Sequence, residues 1–353
     1  DNSVHLVVTS PPYPMIEMWD EIMVSQNPEI GTALSGDNGS LAFELMHREL
    51  DKVWTETARI LTPGGFACIN IGDATRTVNS DFALYPNHAR IIQAFARLGF
   101  SNLPNILWRK QTNAPNKFMG SGMLPAGAYV TLEHEWILIF RKGGKRVIKT
   151  EEGKLLRKQS AFFWEERNTW FSDLWDLKGT RQHMDNTETR KRSAAFPFEI
   201  PYRLINMYSL KGDTVLDPFV GTGTSTLAAI TAQRNSIGIE IDPVFFDIII
   251  HNIKETDTDS LNSVIYNRLL QHRLFIEDRV SDPRKNDIRH FNRHFNLPVI
   301  TSQETEMELS CVDQISTNDE GHVTASYQPI HEAITILPAK EKRRKTQQVQ
   351  INF

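Results

Sequence analysis

Two short stretches bring together residue types that can do chemistry. The first is Thr9-Ser10-Pro11-Pro12-Tyr13, which sets a hydroxyl, two prolyl carbonyls and an aromatic face within five residues. Neither proline has an N–H to donate, and the pair holds the chain extended. The product is an acceptor-rich ledge beside a stacking platform, suited to a flat base that carries an exocyclic amine and is turned out of its stack. A proline-rich turn capping a strand, with Tyr13 packed for structure, is the competing reading of these residues taken alone. The second stretch is Asp217-Pro218-Phe219-Val220-Gly221-Thr222-Gly223-Thr224-Ser225, with Glu240 nineteen positions after Gly221. Gly221 and Gly223 permit a tight turn and close backbone approach to a ligand. No Gly-Lys-Ser/Thr follows them, so this is not a phosphate-clamping loop.

The elements that must position these residues follow from apolar periodicity. Val4-His5-Leu6-Val7-Val8 reads as a buried strand ending at Ser10. Leu41 to Leu61 has helical spacing, stopped by Pro63-Gly64-Gly65, and Phe66 to Ile71 is a buried strand closed by Gly72-Asp73. Ala89 to Leu98 is a second helix with Gly99 at its stop. Ile106-Leu107-Trp108 and Trp136 to Phe140 are strands, separated by a Gly- and Pro-containing loop over Asn113 to Val130. Thr214-Val215-Leu216 leads into the glycine loop, a helix follows over Thr226 to Ala232, and Ile237-Gly238-Ile239 is the next strand. A carboxylate at the end of that strand stands where a doubly wound sheet lets it accept both ribose hydroxyls of a nucleoside. Helices alternating with buried strands predict an α/β fold with a mostly parallel sheet. Helices are also expected over Pro243 to about Ile253 and, N-capped by Asp257, to about Leu274.

Between Pro14 and Ser40 runs a long connection with an apolar patch at Met15, Ile16, Met18, Trp19, Ile22 and Met23, read as a cover over the Tyr13 site or as a short helix and surface loop. From Arg141 to Arg192 there are 14 Lys and Arg against 8 Asp and Glu, interleaved with Phe162, Phe163, Trp164, Trp170, Phe171 and Trp175. Basic residues reach phosphates and aromatics stack on bases, so this segment is a candidate nucleic-acid surface, or a small unit with its own aromatic core. The whole chain of 353 residues carries a net charge of -4, so any basic surface is local. Cys68 and Cys311 are the only cysteines; they exclude a disulfide scaffold and a Cys-rich zinc site, and suit a reducing, cytoplasmic setting. No His/Cys cluster calls for a metal, and no apolar run reaches the roughly 20 residues of a membrane span. Asp73 and Glu133-His134-Glu135 read as a strand-end turn and a strand-start surface rather than as rival catalytic carboxylates.

Val7 to Tyr13, Leu61 to Asp73, Glu135 to Lys142 and above all Leu216 to Asp242 resemble the amino-group DNA methyltransferases that use S-adenosylmethionine. The order matches their permuted, β-type arrangement, with the catalytic tetrapeptide first, a target-recognition insert mid-chain and the cofactor loop last. The resemblance covers about residues 1 to 255. It implies that Ser10, Pro11, Pro12 and Tyr13 are catalytic, that Asp217, Phe219, Gly221, Gly223 and Thr224 line S-adenosylmethionine, and that Glu240 holds its ribose. Ala194, Phe196 and Pro197 match a further cofactor-side motif, although Arg192-Ser193 stand where that motif often opens with His-Pro. The implied fold is a doubly wound, mostly parallel α/β sheet of the methyltransferase type with an inserted recognition region. Residues 1–142 and 191–255 form its catalytic and cofactor halves, 143–190 the insert, 256–338 an extension of unknown role, and 339–353 a basic polar tail.

Family members also carry a strand and a Gly-Asp turn ahead of the catalytic strand. The chain opens at Asp1 directly into that strand, so an upstream piece, or another segment in its place, is expected. The implied partners are double-stranded DNA, a cognate restriction endonuclease and a second copy of the chain, with no membrane. Serine at the head of the tetrapeptide points to cytosine N4, since adenine-N6 members more often carry Asp there. Adenine N6, RNA, and a specificity module without activity are the alternatives. Protein-glutamine enzymes place an Asn-Pro-Pro-Tyr after the cofactor loop, the reverse of the order here.

Overall fold

A computed structural model describes residues 1–110, 119–120, 123–178, 196–318 and 321–330. The chain starts in β1 (Val4–Thr9) and then crosses a short 3-10 turn, α1 (Asp20–Gln26) and α2 (Glu29–Ser35) before α3 (Gly39–Ile60). The long connection after Tyr13 is therefore mostly helical. Asn38 caps α3 by accepting from the Leu41 N–H at 3.0 Å, and Leu45, Leu50 and Trp54 form its buried stripe. β2 (Leu61–Ile71) takes in Pro63-Gly64-Gly65 rather than starting after them, at an irregular register against β1 between Val4 and Leu6. A hairpin, β3 (Ala74–Val78) and β4 (Asp81–Tyr85), precedes α4 (Asn87–Arg97). Then come β5 (Phe100–Asn102), β6 (Ile106–Lys110), the short pair β7 (Met119–Gly120) and β8 (Ala128–Tyr129), and β9 (His134–Lys142). After α5 (Glu151–Gln159), α6 (Trp164–Trp170) and β10 (Leu174–Leu177), the described chain resumes in α7 (Glu199–Tyr208). It continues through β11 (Thr214–Asp217), α8 (Thr224–Thr231), β12 (Asn235–Gly238), α9 (Val244–Glu255) and α10 (Thr258–Ser281).

The central sheet has the order β10-β6-β9-β2-β1-β11-β12, with β5 also on β9. β1, β2, β11, β12, β6 and β10 share one direction, and β9 runs against its neighbours β2, β5 and β6. Two apolar clusters cover the two faces. Leu6, Val8, Cys68, Ile137, Ile139 and Val215 face one; Val7, Ala67, Ile69, Leu138, Phe140 and Leu216 face the other. Alternation with both sides buried is why these strands read as unbroken apolar runs. α3 and α4 pack on the second face, α7, α8 and α10 on the first. Thus β1 leads to a helix on one face and the adjacent parallel β11 to a helix on the other. Their carboxyl ends form a topological switch point, where open α/β sheets open a crevice.

Among its described residues, the basic segment after Arg141 does not form a unit with its own core. Phe163, Trp170, Trp175 and Leu177 join the first apolar cluster or are buried beside it, β10 extends the sheet beside β6, and the Trp108 indole donates to the Leu177 carbonyl at 2.9 Å. Because β9 is antiparallel, residues from 143 leave the sheet at the edge opposite the switch point. There Arg146 makes a two-bonded pair with Asp213, just ahead of β11. The first half of the expected insert therefore lies away from Ser10. β10, parallel to β6, brings the chain back to the carboxyl edge at Leu177, and residues 179–195 lie outside the described set. The extension past residue 256 is integral to the body: α10, capped by Asp257 as expected but running on to Ser281, buries Leu261, Ile265 and Leu269. An antiparallel pair, Ser310–Thr317 with Val323–Pro329, packs against it through Val312. Among the described residues no helix is long and apolar enough to cross a membrane.

Candidate active site

Ser10 follows β1 and the glycine loop follows β11, so the parallel pairing of Leu6 with Val215 and Val7 with Leu216 brings the two stretches together. The bridge between them is a buried carboxylate. Asp217, 2% exposed, accepts from Thr9 Oγ1 at 2.5 Å, from the Phe219 N–H at 3.0 Å and from the Ser225 hydroxyl of α8. Burial pushes its acid up to about 6; the three donors pull the other way, and the charge of Glu240 adds to the rise.

Above this bridge lies a cavity of about 570 Å³. Of the residues expected to carry function, Ser10, Pro11, Pro12, Phe196, Asp217, Phe219, Gly221, Thr224 and Glu240 all line it. Gly221 and Gly223 hold φ of 53° and 90°, the left-handed region that glycine adopts without strain. Gly223 caps α8 and is not part of the lining; Pro197 is buried one residue behind Phe196, and Ala194 is outside the described residues. The Glu240 carboxylate accepts from the Gly221 N–H at 3.0 Å on one oxygen, and from the Ile241 and Asp242 N–H groups at 2.9 and 3.1 Å on the other. It thereby fixes the loop while leaving acceptor capacity toward the cavity.

Part of the apolar patch read from the sequence as a cover completes the walls, together with Gln26 and Phe245, which the sequence did not single out. Trp19, Ile22, Met23 and Gln26 come from the α1 region, tied to the β3–β4 hairpin by a two-bonded pair of Arg76 with Asp20 at 2.8 and 2.7 Å; Phe245 comes from α9. Among the described residues, Glu49, Asp217, Glu240 and Asp242 line the cavity against a single cation, Lys52. That balance repels a polyphosphate and favours a ligand with an apolar, ribose-bearing body and positive charge. S-adenosylmethionine, a nucleoside with a sulfonium, fits it.

Tyr13 is turned differently from its three neighbours. It does not line the cavity. Its hydroxyl donates to Glu135 Oε2 at 2.7 Å, and Asn70 Nδ2 lies 2.8 Å from both the Tyr13 oxygen and that carboxylate oxygen. Ser10 Oγ is 3.2 Å from the Tyr13 hydroxyl and 3.4 Å from Asn70 Nδ2. Lys110 Nζ reaches the other Glu135 oxygen at 2.6 Å. Burial, with the Glu135 charge beside it, drives the Tyr13 phenol well above its ordinary value, so it stays protonated. Glu135, expected on a strand-start surface, is thus part of the tetrapeptide's own network. The register explains it: Ile71 pairs with Trp136, which sets Glu135 next to Gly72 at the end of β2. Asn70, a polar residue in an apolar strand, was the signal available in the sequence.

Comparison with known proteins agrees with this geometry. The N6/N4 family profile, described as DNA methylase, matches residues 4–251. The chain is 52% identical over 311 residues to the Type II methyltransferase M.MthZI of Methanothermobacter thermautotrophicus, covering 88% of this chain and 85% of that protein. It is 53% identical over 260 residues to the Type II methyltransferase M.MjaI of Methanocaldococcus jannaschii, covering 70% and 84%. Among solved structures it is similar to TTHA0409 of Thermus thermophilus complexed with S-adenosyl-L-methionine, at 32% identity and a TM-score of 0.54, over 71% of this chain and 86% of that one. The fold is shared with the PvuII DNA methyltransferase, at 19% identity and a TM-score of 0.50, over 77% and 87%. The family match over residues 4–251 and the two relatives above 50% identity place the chain: it is a Type II DNA methyltransferase of the S-adenosylmethionine-dependent N6/N4 family.

Proposed function

We propose that the chain is a permuted, β-type enzyme that methylates the exocyclic amine of a base flipped from duplex DNA, with cytosine N4 as the target. The observation that carries this reading is that Ser10 and Pro11 line the same cavity as Glu240 and the glycine loop. Donor and acceptor of the methyl group can therefore share one space. Serine rather than a carboxylate at position 10 is what favours cytosine N4.

An aromatic amine is a poor nucleophile because its lone pair is delocalised into the ring. The Ser10 hydroxyl and the Pro11 carbonyl accept its two N–H groups, draw the nitrogen toward tetrahedral geometry and aim its lone pair into the cavity. S-adenosylmethionine supplies an already activated methyl group on a sulfonium, so placement contributes most of the rest. Held by Glu240 and the glycine loop, the sulfonium would give its methyl carbon to the nitrogen and leave as a neutral thioether, and the proton the nitrogen then loses would pass to solvent. Tyr13 stacks on the extruded base. DNA approaches the carboxyl edge of the sheet, where Ser10 lies, whereas the cationic stretch after β9 leaves from the opposite edge. A restriction endonuclease reading the same site is the partner that a Type II modification enzyme implies.

Labelled S-adenosylmethionine and genomic DNA, followed by sequencing that reports base and motif together, test this. N4-methylcytosine at one motif is the expected product; N6-methyladenine would overturn the choice of base, and no transfer to any DNA would overturn the reading. Tyr13→Ala should lower kcat by about 100-fold, since stacking on a base is worth about 1–3 kcal/mol, with little change in DNA affinity. Gly72→Ala should act on the same residue from behind. A Cβ there would sit 2.9 Å from Tyr13 Cε2 and 3.4 Å from Glu135 Cγ, so the ring must move. Steady-state kinetics should show a roughly tenfold lower kcat with cofactor affinity unchanged; an unaltered kcat would mean that the ring position is irrelevant.

A further inference from the structure

We infer that Glu135 is a positioning residue that fixes the direction of the Ser10 hydroxyl, so that Ser10 Oγ meets the incoming amine as an acceptor. The inference rests on the proposed amine methylation and concerns how the ledge acquires its polarity. A hydroxyl can donate or accept, and nothing within Ser10 decides which. A serine whose proton faced the amine would compete for the lone pair that must attack the methyl group.

The network settles the direction step by step. A carboxylate offers only acceptors at neutral pH. Tyr13 has one proton, and with Glu135 Oε2 at 2.7 Å that proton is committed. The Tyr13 oxygen is then left to accept, from Asn70 Nδ2 at 2.8 Å and from Ser10 at 3.2 Å. Ser10 has one proton as well; turned toward Tyr13, it leaves its lone pairs for the cavity side, where Ser10 is part of the lining.

Asn70 reinforces this order. Its amide nitrogen faces Tyr13, Glu135 and, at 3.4 Å, Ser10, whereas the flipped amide would set its carbonyl against the carboxylate. Its Oδ1 is buried with no hydrogen-bond partner among the described residues. Asn70 thus forgoes a hydrogen bond on one side while keeping its donors on the network. Lys110 engages the opposite oxygen of Glu135 at 2.6 Å, which leaves Oε2 to Tyr13 and Asn70.

Glu135→Leu and Glu135→Gln separate this role from packing and from charge. Leucine removes the acceptor, so the Tyr13 proton turns to Ser10 and the Ser10 proton turns to the amine. Glutamine can keep a carbonyl oxygen on Tyr13 and Asn70 while its amide faces the half-exposed Lys110, which can swing away. In the full chain, E135L should lower kcat by about 100-fold, with the KM for DNA and the Kd for S-adenosylmethionine within about threefold of wild type. E135Q should recover most of that loss. In a Tyr13→Phe background, where the relay is already cut, E135L should cost little more.

The tyrosine ¹³Cζ resonance of Tyr13, assigned with Tyr13→Phe, reads the hydrogen-bond direction without turnover. It should shift in E135L and return toward wild type in E135Q. Full activity in E135L, equal losses in E135L and E135Q, an undiminished E135L loss in the Tyr13→Phe background, or an unmoved resonance would each overturn the inference. A wild type that transfers no methyl group would instead sink the amine-methylation reading, and the resonance would still decide the hydroxyl direction.

Discussion

Replacing Asp217 by alanine should destabilise the protein by about 3 kcal/mol at pH 7.5, and by about 2 kcal/mol more near pH 4.5. The first figure comes from the donors stranded by the change: the Thr9 hydroxyl, the Ser225 hydroxyl and the Phe219 N–H all end on this carboxylate. Each buried donor left unpaired costs about 1–3 kcal/mol. Against this stands a relief, because burial disfavours the ionised acid. With the folded acid near 6 and the unfolded one near 4, the native state holds more protons between those values. Stability from this group is therefore complete below about pH 4 and is lost as pH rises through 6, a change of about 2–3 kcal/mol. At pH 7.5 alanine recovers that loss and at pH 4.5 it does not, which is why the substitution is worse in acid. Asp217→Asn can still accept on one atom and let the hydroxyls rotate to meet the other, so it should match or exceed wild type at pH 7.5 and lack the slope between 4 and 6. Urea unfolding of the three proteins across that range, read as differences between them, checks the argument. An alanine penalty independent of pH would show that Asp217 does not titrate there.

The contrast between what was readable and what was not has a physical basis. The tetrapeptide and the glycine loop are local: prolines, a hydroxyl and an aromatic act within five residues, and glycines at 221 and 223 permit the tight turn that the structure makes with positive φ at both. Helix–strand alternation likewise reports its class, because burial on both faces leaves apolar runs whatever the neighbours are. Strand direction is another matter. The run Trp136 to Phe140 has the same composition whether parallel or antiparallel, yet its reversal in β9 decides two things. It brings Glu135 against the end of β2, 122 residues from Tyr13. It also sends the cationic stretch after Lys142 to the edge away from the site, where Arg146 meets Asp213. The apolar patch from Trp19 to Met23 was visible as a candidate cover, but which cavity it lines depends on how α1 packs beside α3. Asn70 shows the limit most clearly: one polar residue in an apolar strand marks a partner without naming it.

Glu240→Ala should raise the Kd for S-adenosylmethionine by at least 100-fold while lowering the unfolding free energy by only about 1 kcal/mol. Both acids accept three donors, but they sit in different surroundings. Asp217 is buried in the cavity wall with three donors on it, whereas Glu240 is half-buried at the rim, so water can replace the lost bonds to Gly221, Ile241 and Asp242 when the side chain is removed. What water cannot replace is pre-organisation of the loop and, where Glu240 takes the ribose as the resemblance implies, an anionic acceptor for it. Hydrogen bonds to a charged group are worth about 1.5–3 kcal/mol each, so losing two amounts to a factor of 100 or more. Glu240→Gln keeps one acceptor but turns an amide against either the Gly221 N–H or the pair at Ile241 and Asp242, and should fall between wild type and alanine. Removing the charge has a further consequence: Glu240 contributes to the raised acid of Asp217, so in Glu240→Ala the stability slope between pH 4 and 6 should move toward lower pH. Calorimetric titration with S-adenosylmethionine alongside urea unfolding measures both. A large loss of stability with cofactor affinity retained would reverse the roles of the two carboxylates, and with them the division of this cleft into a buried bridge and a binding rim.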